Sequence, residues 1–189
     1  MHRLCVRKAK CFRGDFMGKK MGSWSGMRKY LEQEMLAECL KVKIRHSCTS
    51  FAGMDGFCVF EICVNGCVVK RFSWETVNTY FIENGLKKEC NPYGKLEYWA
   101  GFSELLDGVP AELRTEYTDE EFCEALEKYR NLPIEKSLYS KNPIQRMFAI
   151  LDRRVGKRRI ISAMDSLNEQ PEWLRTFYSL RADCELAGS

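Results

Sequence analysis

From Phe57 to Trp74 the chain reads FCVFEICVNGCVVKRFSW, two runs of Val, Ile, Phe and Cys on either side of Asn65-Gly66. That dipeptide accepts the positive φ angles of a type I′ turn, so the runs are predicted to fold back as an antiparallel hairpin. Pairing Val64 with Cys67 would set Ile62 opposite Val69, Glu61 opposite Lys70 and Phe60 opposite Arg71. One face then carries Cys58, Phe60, Ile62, Val64, Cys67 and Val69; the other, with Val59, Glu61, Cys63, Val68, Lys70 and Phe72, is mixed. Upstream, Val42, Ile44, His46 and Cys48 alternate with polar residues, the period of a half-buried strand. With AGMDG (52–56) as the connecting turn, a three-stranded meander results.

Around this nucleus the period changes to that of helices. Met27, Leu31, Met35 and Cys39 recur every four residues beside Leu36 and Leu40, which predicts one amphipathic helix capped at Ser25. Ser73 opens a second helix that Gly85 stops. After the Asn91–Gly94 turn, EYWAGFSELL is a short helix, and Thr118 with Glu121 forms a capping box ahead of Phe122, Ala125, Leu126 and Tyr129. Asn142-Pro143 starts a helix with Ile144, Met147, Phe148, Leu151 and Val155 on its inner stripe. Gly156 interrupts it, residues 157–167 resume, and Pro171 begins a last helix with Trp173, Phe177, Leu180 and Cys184 on one side. The fold class is therefore α+β: a small antiparallel sheet of three or more strands, covered by helices, with a helical C-terminal half. Residues 21–189 are read as one domain.

The whole-chain charge of +4 divides unevenly. Residues 1–20 hold seven basic residues against Asp15, net +6, so residues 21–189 carry −2. Residues 1–20 show neither helical nor strand period and are expected to be a disordered or spurious basic extension. A body that is slightly acidic excludes a surface that coats nucleic acid by bulk charge, though not a local basic patch. No run approaches the ~18 apolar residues of a membrane helix, and no secretory signal is recognisable, which points to the cytosol and to no membrane partner. The ten cysteines contain no Cys-x-x-Cys and residues 21–189 hold one histidine, so reduced packing thiols are expected, with no metal and no cofactor.

The sharpest polar feature is Arg153-Arg154-Val155-Gly156-Lys157-Arg158-Arg159, five bases in seven residues at a helix break, with Arg146 one to two turns earlier. Such a cluster can grip phosphates, or it can pair with the carboxylates crowded between Glu104 and Glu127. Those carboxylates fit a helix N-terminus and a solvated helix face better than an acid–base pair. His46 and Cys48 project to one face, but no nucleophile turn accompanies them, so a histidine bonded to backbone is the expectation and no catalytic residue is assigned.

The segments SWSGMRKYLEQEMLAECLK, FSWETVNTYFIENG and NPIQRMFAILDRRVGKR resemble those of a group of small uncharacterised bacterial proteins found in isolated genomes and mobile elements, over about Met21 to Leu186. That resemblance implies a compact cytosolic protein and no particular activity, cofactor or site. Segregated charge without a catalytic constellation favours steered association. The expected function is a non-enzymatic binding or regulatory protein acting on a protein partner, conceivably as an accessory or inhibitor of a nucleic-acid machine. The alternatives are direct RNA or DNA binding through Arg146, Arg153, Arg154, Lys157, Arg158 and Arg159, and an enzyme of unknown class.

Overall fold

The computed structural model describes residues 23–50, 58–87 and 96–187; the basic segment 1–20 and the turns at 52–56 and 91–94 lie outside them. Helix α1 (Trp24–Lys29) starts two residues earlier than its sequence signal, because Ser23 rather than Ser25 is the cap and its hydroxyl accepts the Gly26 N–H at 3.2 Å. It continues as a π-helical turn over Tyr30–Met35 and stops there, short of the predicted end at Leu40. Leu36 and Ala37 are extended instead, and Cys39 follows in a 3-10 turn (Glu38–Leu40). The extended pair bonds a second chain segment: Ala37 N–H donates to the Leu151 carbonyl at 3.1 Å, Arg153 N–H donates to that of Met35 at 2.9 Å, and Leu36 bridges Asp152.

Strands β1 (Ile44–Ser50), β2 (Cys58–Val64) and β3 (Cys67–Phe72) form the antiparallel sheet in that order. Asn65 (φ 51°) and Gly66 (φ 83°) make the turn, as the Asn-Gly signal requires. Val42 lies before β1 and is 80 % exposed, so the alternation begins two residues later than its pattern. The hairpin register starts as expected at Val64–Cys67 and then slips, since β3 spends an extra residue at Val69. Lys70 thereby faces Ile62, Arg71 faces Glu61 and Phe72 faces Phe60. The bulge brings Phe72 to the core face, a large aromatic gain that strict alternation would forgo. Arg71, not Lys70, pairs with Glu61, at 2.7 Å. Lys70 is carried inside, where Nζ donates to the Thr115 carbonyl and to Glu116, both at 2.7 Å, and lies near the rings of Tyr117 and Trp173. Burial pulls its pKa down.

Helices α2 (Trp74–Glu83) and α3 (Leu96–Gly108) build a satellite cluster from Trp74, Val77, Phe81 and Phe102. The main core lies between the sheet and α4 (Asp119–Asn131), α6 (Pro143–Leu151) and α8 (Glu172–Ala187). At its centre the rings of Phe60 and Phe72 meet Phe122 at 4.8 and 4.9 Å, and Phe122 meets Phe148 at 5.3 Å. The capping box forms as predicted, with the Thr118 hydroxyl accepting from Glu121 N–H at 3.1 Å and the Glu121 carboxylate accepting from Thr118 N–H at 2.9 Å. Between α4 and α6 sits a short helix, α5 (Ile134–Leu138), too brief for its period to show in the sequence. Every residue of α6 except Arg146 is buried. That helix ends at Leu151, four residues before the end of its predicted stripe, and α7 (Lys157–Met164) follows Gly156.

Candidate binding surface

The α6–α7 connection is built on one buried carboxylate. Asp152 is 1 % exposed, and its extended backbone is held by the bridge to Leu36. One of its oxygens accepts the Arg154 N–H at 2.7 Å; the other accepts Arg154 Nη2 at 2.7 Å and Nε at 2.9 Å, as well as the Tyr129 hydroxyl. Burial and then the hydrogen bond to Asp152 push the Tyr129 hydroxyl pKa up, and the hydrogen bonds to Asp152 raise that of Arg154. Arg154 is thus fixed in position while about half of its side chain stays in water. Around the same carboxylate, the Arg130 guanidinium lies 4.8 Å from the Tyr30 ring centre. Sequence reading missed Asp152 as the organiser; the signal was an aspartate between an apolar helix and a pair of arginines.

The other cations of the predicted cluster diverge. Arg153 and Arg158 are exposed, and neither side chain has a hydrogen bond or ion pair among the described residues. Arg159 pairs with Glu135 of α5 at 2.6 Å, both half exposed, a carboxylate outside the Glu104–Glu127 stretch from which its partner was expected. Arg146 is turned to the preceding loop, where Nη1 donates to the carbonyls of Ser140 at 2.6 Å and Lys141 at 3.0 Å, and burial lowers its pKa. It is committed to that loop and does not extend the 153–159 group. Lys157, Arg158 and Arg159 fill the first turn of α7, and the cap position is Gly156, which offers no side-chain acceptor. Three cations at the positive end of a helix dipole are an inversion of the usual arrangement and are destabilising within the chain.

Beside this turn, α7 and α8 flank an open groove of about 400 Å³. Ile160, Ile161 and Met164 line it from α7, Ala182 and Leu186 from α8, while Lys157, Asp183 and Glu185 supply charge. Ile161 and Leu186 are 53 % and 63 % exposed, unusual for large aliphatic side chains on neighbouring helices.

The residues weighed for catalysis are packed apart. His46 and Cys48 do share the inner face of β1, but His46 is buried and its ring nitrogens make no hydrogen bond among the described residues. Its Nδ1 lies 3.7 Å from a Glu32 carboxylate oxygen, which accepts the His46 backbone N–H at 2.6 Å. The expected bond from ring to backbone is replaced by this carboxylate contact. Cys48 neighbours Cys58 rather than the imidazole, and that thiol contact together with burial raises its pKa. Among the carboxylates, Glu120 and Glu124 face water as the helix pattern requires. Asp119 turns inward, accepts the Cys58 N–H at 3.1 Å at the start of β2, and is pushed by burial up to about 6. Among the described residues no group of three or more His, Cys, Asp or Glu side chains is placed to hold a metal ion. Nor is any described helix long and apolar enough to cross a membrane.

No curated protein and no solved structure is significantly similar to this chain. A family model does match it over residues 23–182, from the cap of α1 into α8 and across the whole Asp152–Arg159 turn. The chain belongs to the SF0329 protein family.

Proposed function

We propose that the protein is a non-catalytic, cytosolic binding protein whose partner is another protein, docked in the α7–α8 groove and steered there by the basic turn at its end. The observation that carries this reading is the exposure of Ile161 and Leu186 across one groove, whose Lys157 belongs to the same basic turn as the exposed Arg153 and Arg158. Apolar area with a charged margin is the anatomy of a protein interface, in which the apolar centre supplies affinity and the charges supply rate and orientation. A partner segment with apolar side chains for the groove and carboxylates placed over the Lys157–Arg159 turn, clear of Asp183 and Glu185, matches both parts. Its carboxylates would also offset the cations crowded at the α7 N-terminus.

The test is affinity capture from lysate, with and without nuclease, using the wild type, an Ile161→Glu/Leu186→Glu variant and an Arg153→Glu/Arg158→Glu variant. The expected result is a protein retained after nuclease treatment and lost with the groove variant, with the charge variant slowing association most at low salt. Capture that disappears on nuclease treatment and depends on the arginines alone would assign the turn to nucleic acid instead. Capture indifferent to both variants would remove the surface from consideration.

A further inference from the structure

The Glu38–Leu40 turn and the last helix, α8, meet at two thiols. Cys39, in the Glu38–Leu40 turn, is partly exposed; Cys184, in α8, is 8 % exposed. The Cys184 thiol donates to the Cys39 carbonyl oxygen at 3.7 Å, which sets the two cysteines side by side. Each sulfur has its own cation: Lys43 Nζ stands 3.5 Å from Cys184 Sγ, and Arg181 Nη1 3.6 Å from Cys39 Sγ. Arg181 is itself fixed by the Val155 carbonyl at 2.9 Å and Glu185 at 2.8 Å. A thiol next to a cation is the ordinary setting of a reactive cysteine, and here the cations act against burial in the core, which with the Cys184 contact raises the Cys39 pKa. None of the described cysteines is in a disulfide, so the pair is in its reduced form.

From this geometry we propose that Cys39 and Cys184 are an oxidisable dithiol, with a hydroperoxide as the oxidant and an intramolecular disulfide as the product. The Cys184 sulfur, with Lys43 Nζ beside it, gives up its proton and attacks one peroxide oxygen. The O–O bond breaks, a sulfenic acid forms on Cys184, and the departing hydroxide takes up the proton lost by the thiol to become water. Cys39 sulfur then attacks the sulfenic sulfur. The S–S bond forms, the S–O bond breaks, and the hydroxyl leaves with the Cys39 proton as a second water. Two thiols are oxidised and one peroxide is reduced. The bond would close a loop spanning 145 residues and tie α8, one wall of the groove, to the start of the fold.

The experiment treats the full chain with equimolar hydrogen peroxide, alkylates the remaining thiols and maps peptides without reduction. A linked Cys39–Cys184 peptide is expected, together with a rise in melting temperature of about 10 °C that dithiothreitol reverses. Both should vanish in Cys39→Ser and Cys184→Ser. Lys43→Gln should slow the cross-link several-fold without moving the melting temperature of the reduced protein. Cross-linking at Cys48–Cys58 while Cys39 and Cys184 remain open to alkylation would overturn the assignment, as would a thermal shift that persists in Cys39→Ser.

Discussion

Single buried charges account for most of the departures from a simple apolar-in, polar-out reading. Asp119 has its pKa raised from an ordinary aspartate value to about 6 because burial outweighs the backbone N–H groups it accepts. A raised carboxyl favours the fold when protonated, so its contribution is full below about pH 4 and is lost as pH climbs through 6. The loss is roughly 2–3 kcal/mol. Urea unfolding of the wild type should show it between pH 4 and 7, and Asp119→Asn, which keeps an acceptor for the Cys58 N–H, should abolish that part of the slope; parallel pH profiles would refute the assignment. Asp152 behaves differently, because its charge is met by Arg154 and by the Tyr129 hydroxyl. Asp152→Ala strands Tyr129 and frees Arg154, and should cost about 2–3 kcal/mol in urea titration, with a change below 0.5 kcal/mol showing that the carboxylate organises nothing. None of these inward turns was legible beforehand, since an aspartate at a helix start or beside arginines looks the same in sequence whether it faces water or the core.

At the scale of elements, capping and turn chemistry read directly from the residues, while lengths and registers did not. The Asn65-Gly66 turn, the Thr118–Glu121 box and the Asn142-Pro143 start are local arrangements in which backbone donors within three residues decide the outcome. The bulge at Val69 and the end of the first helix at Met35 are set instead by partners far along the chain, Phe122 beside Phe72 and Leu151 beside Ala37. Helix α7 offers a test of the link between element and site. Gly156 has φ −78° and open space where a Cβ would stand, so Asp fits there without strain. Gly156→Asp supplies the missing cap and offsets Lys157, Arg158 and Arg159, and should raise stability by about 0.5–1 kcal/mol. The same change should weaken partner capture by placing a carboxylate where the partner's own is expected. Greater stability with undiminished capture would separate the helix terminus from the binding surface.

For the molecule as a whole, the α+β class and the helical C-terminal half follow from the change of hydrophobic period near Ser73. The groove was not visible in the sequence, because Ile161 and Leu186 become neighbours only when α8 returns to α7, and an exposed aliphatic residue leaves no mark in a periodic pattern. The basic turn was visible, yet its division into a pinned Arg154, a paired Arg159 and an open Arg153 and Arg158 depends on Asp152 and Glu135 in space. The bridge between Leu36 and Asp152 has a consequence for vectorial synthesis. The backbone groups of Met35 and Ala37 wait for acceptors and donors that the ribosome supplies more than a hundred codons later, about ten seconds at ordinary elongation rates. Until then the emerging N-terminal half must hold an unfinished edge, and a transcript cut short before codon 151 would leave it with nothing to zip against.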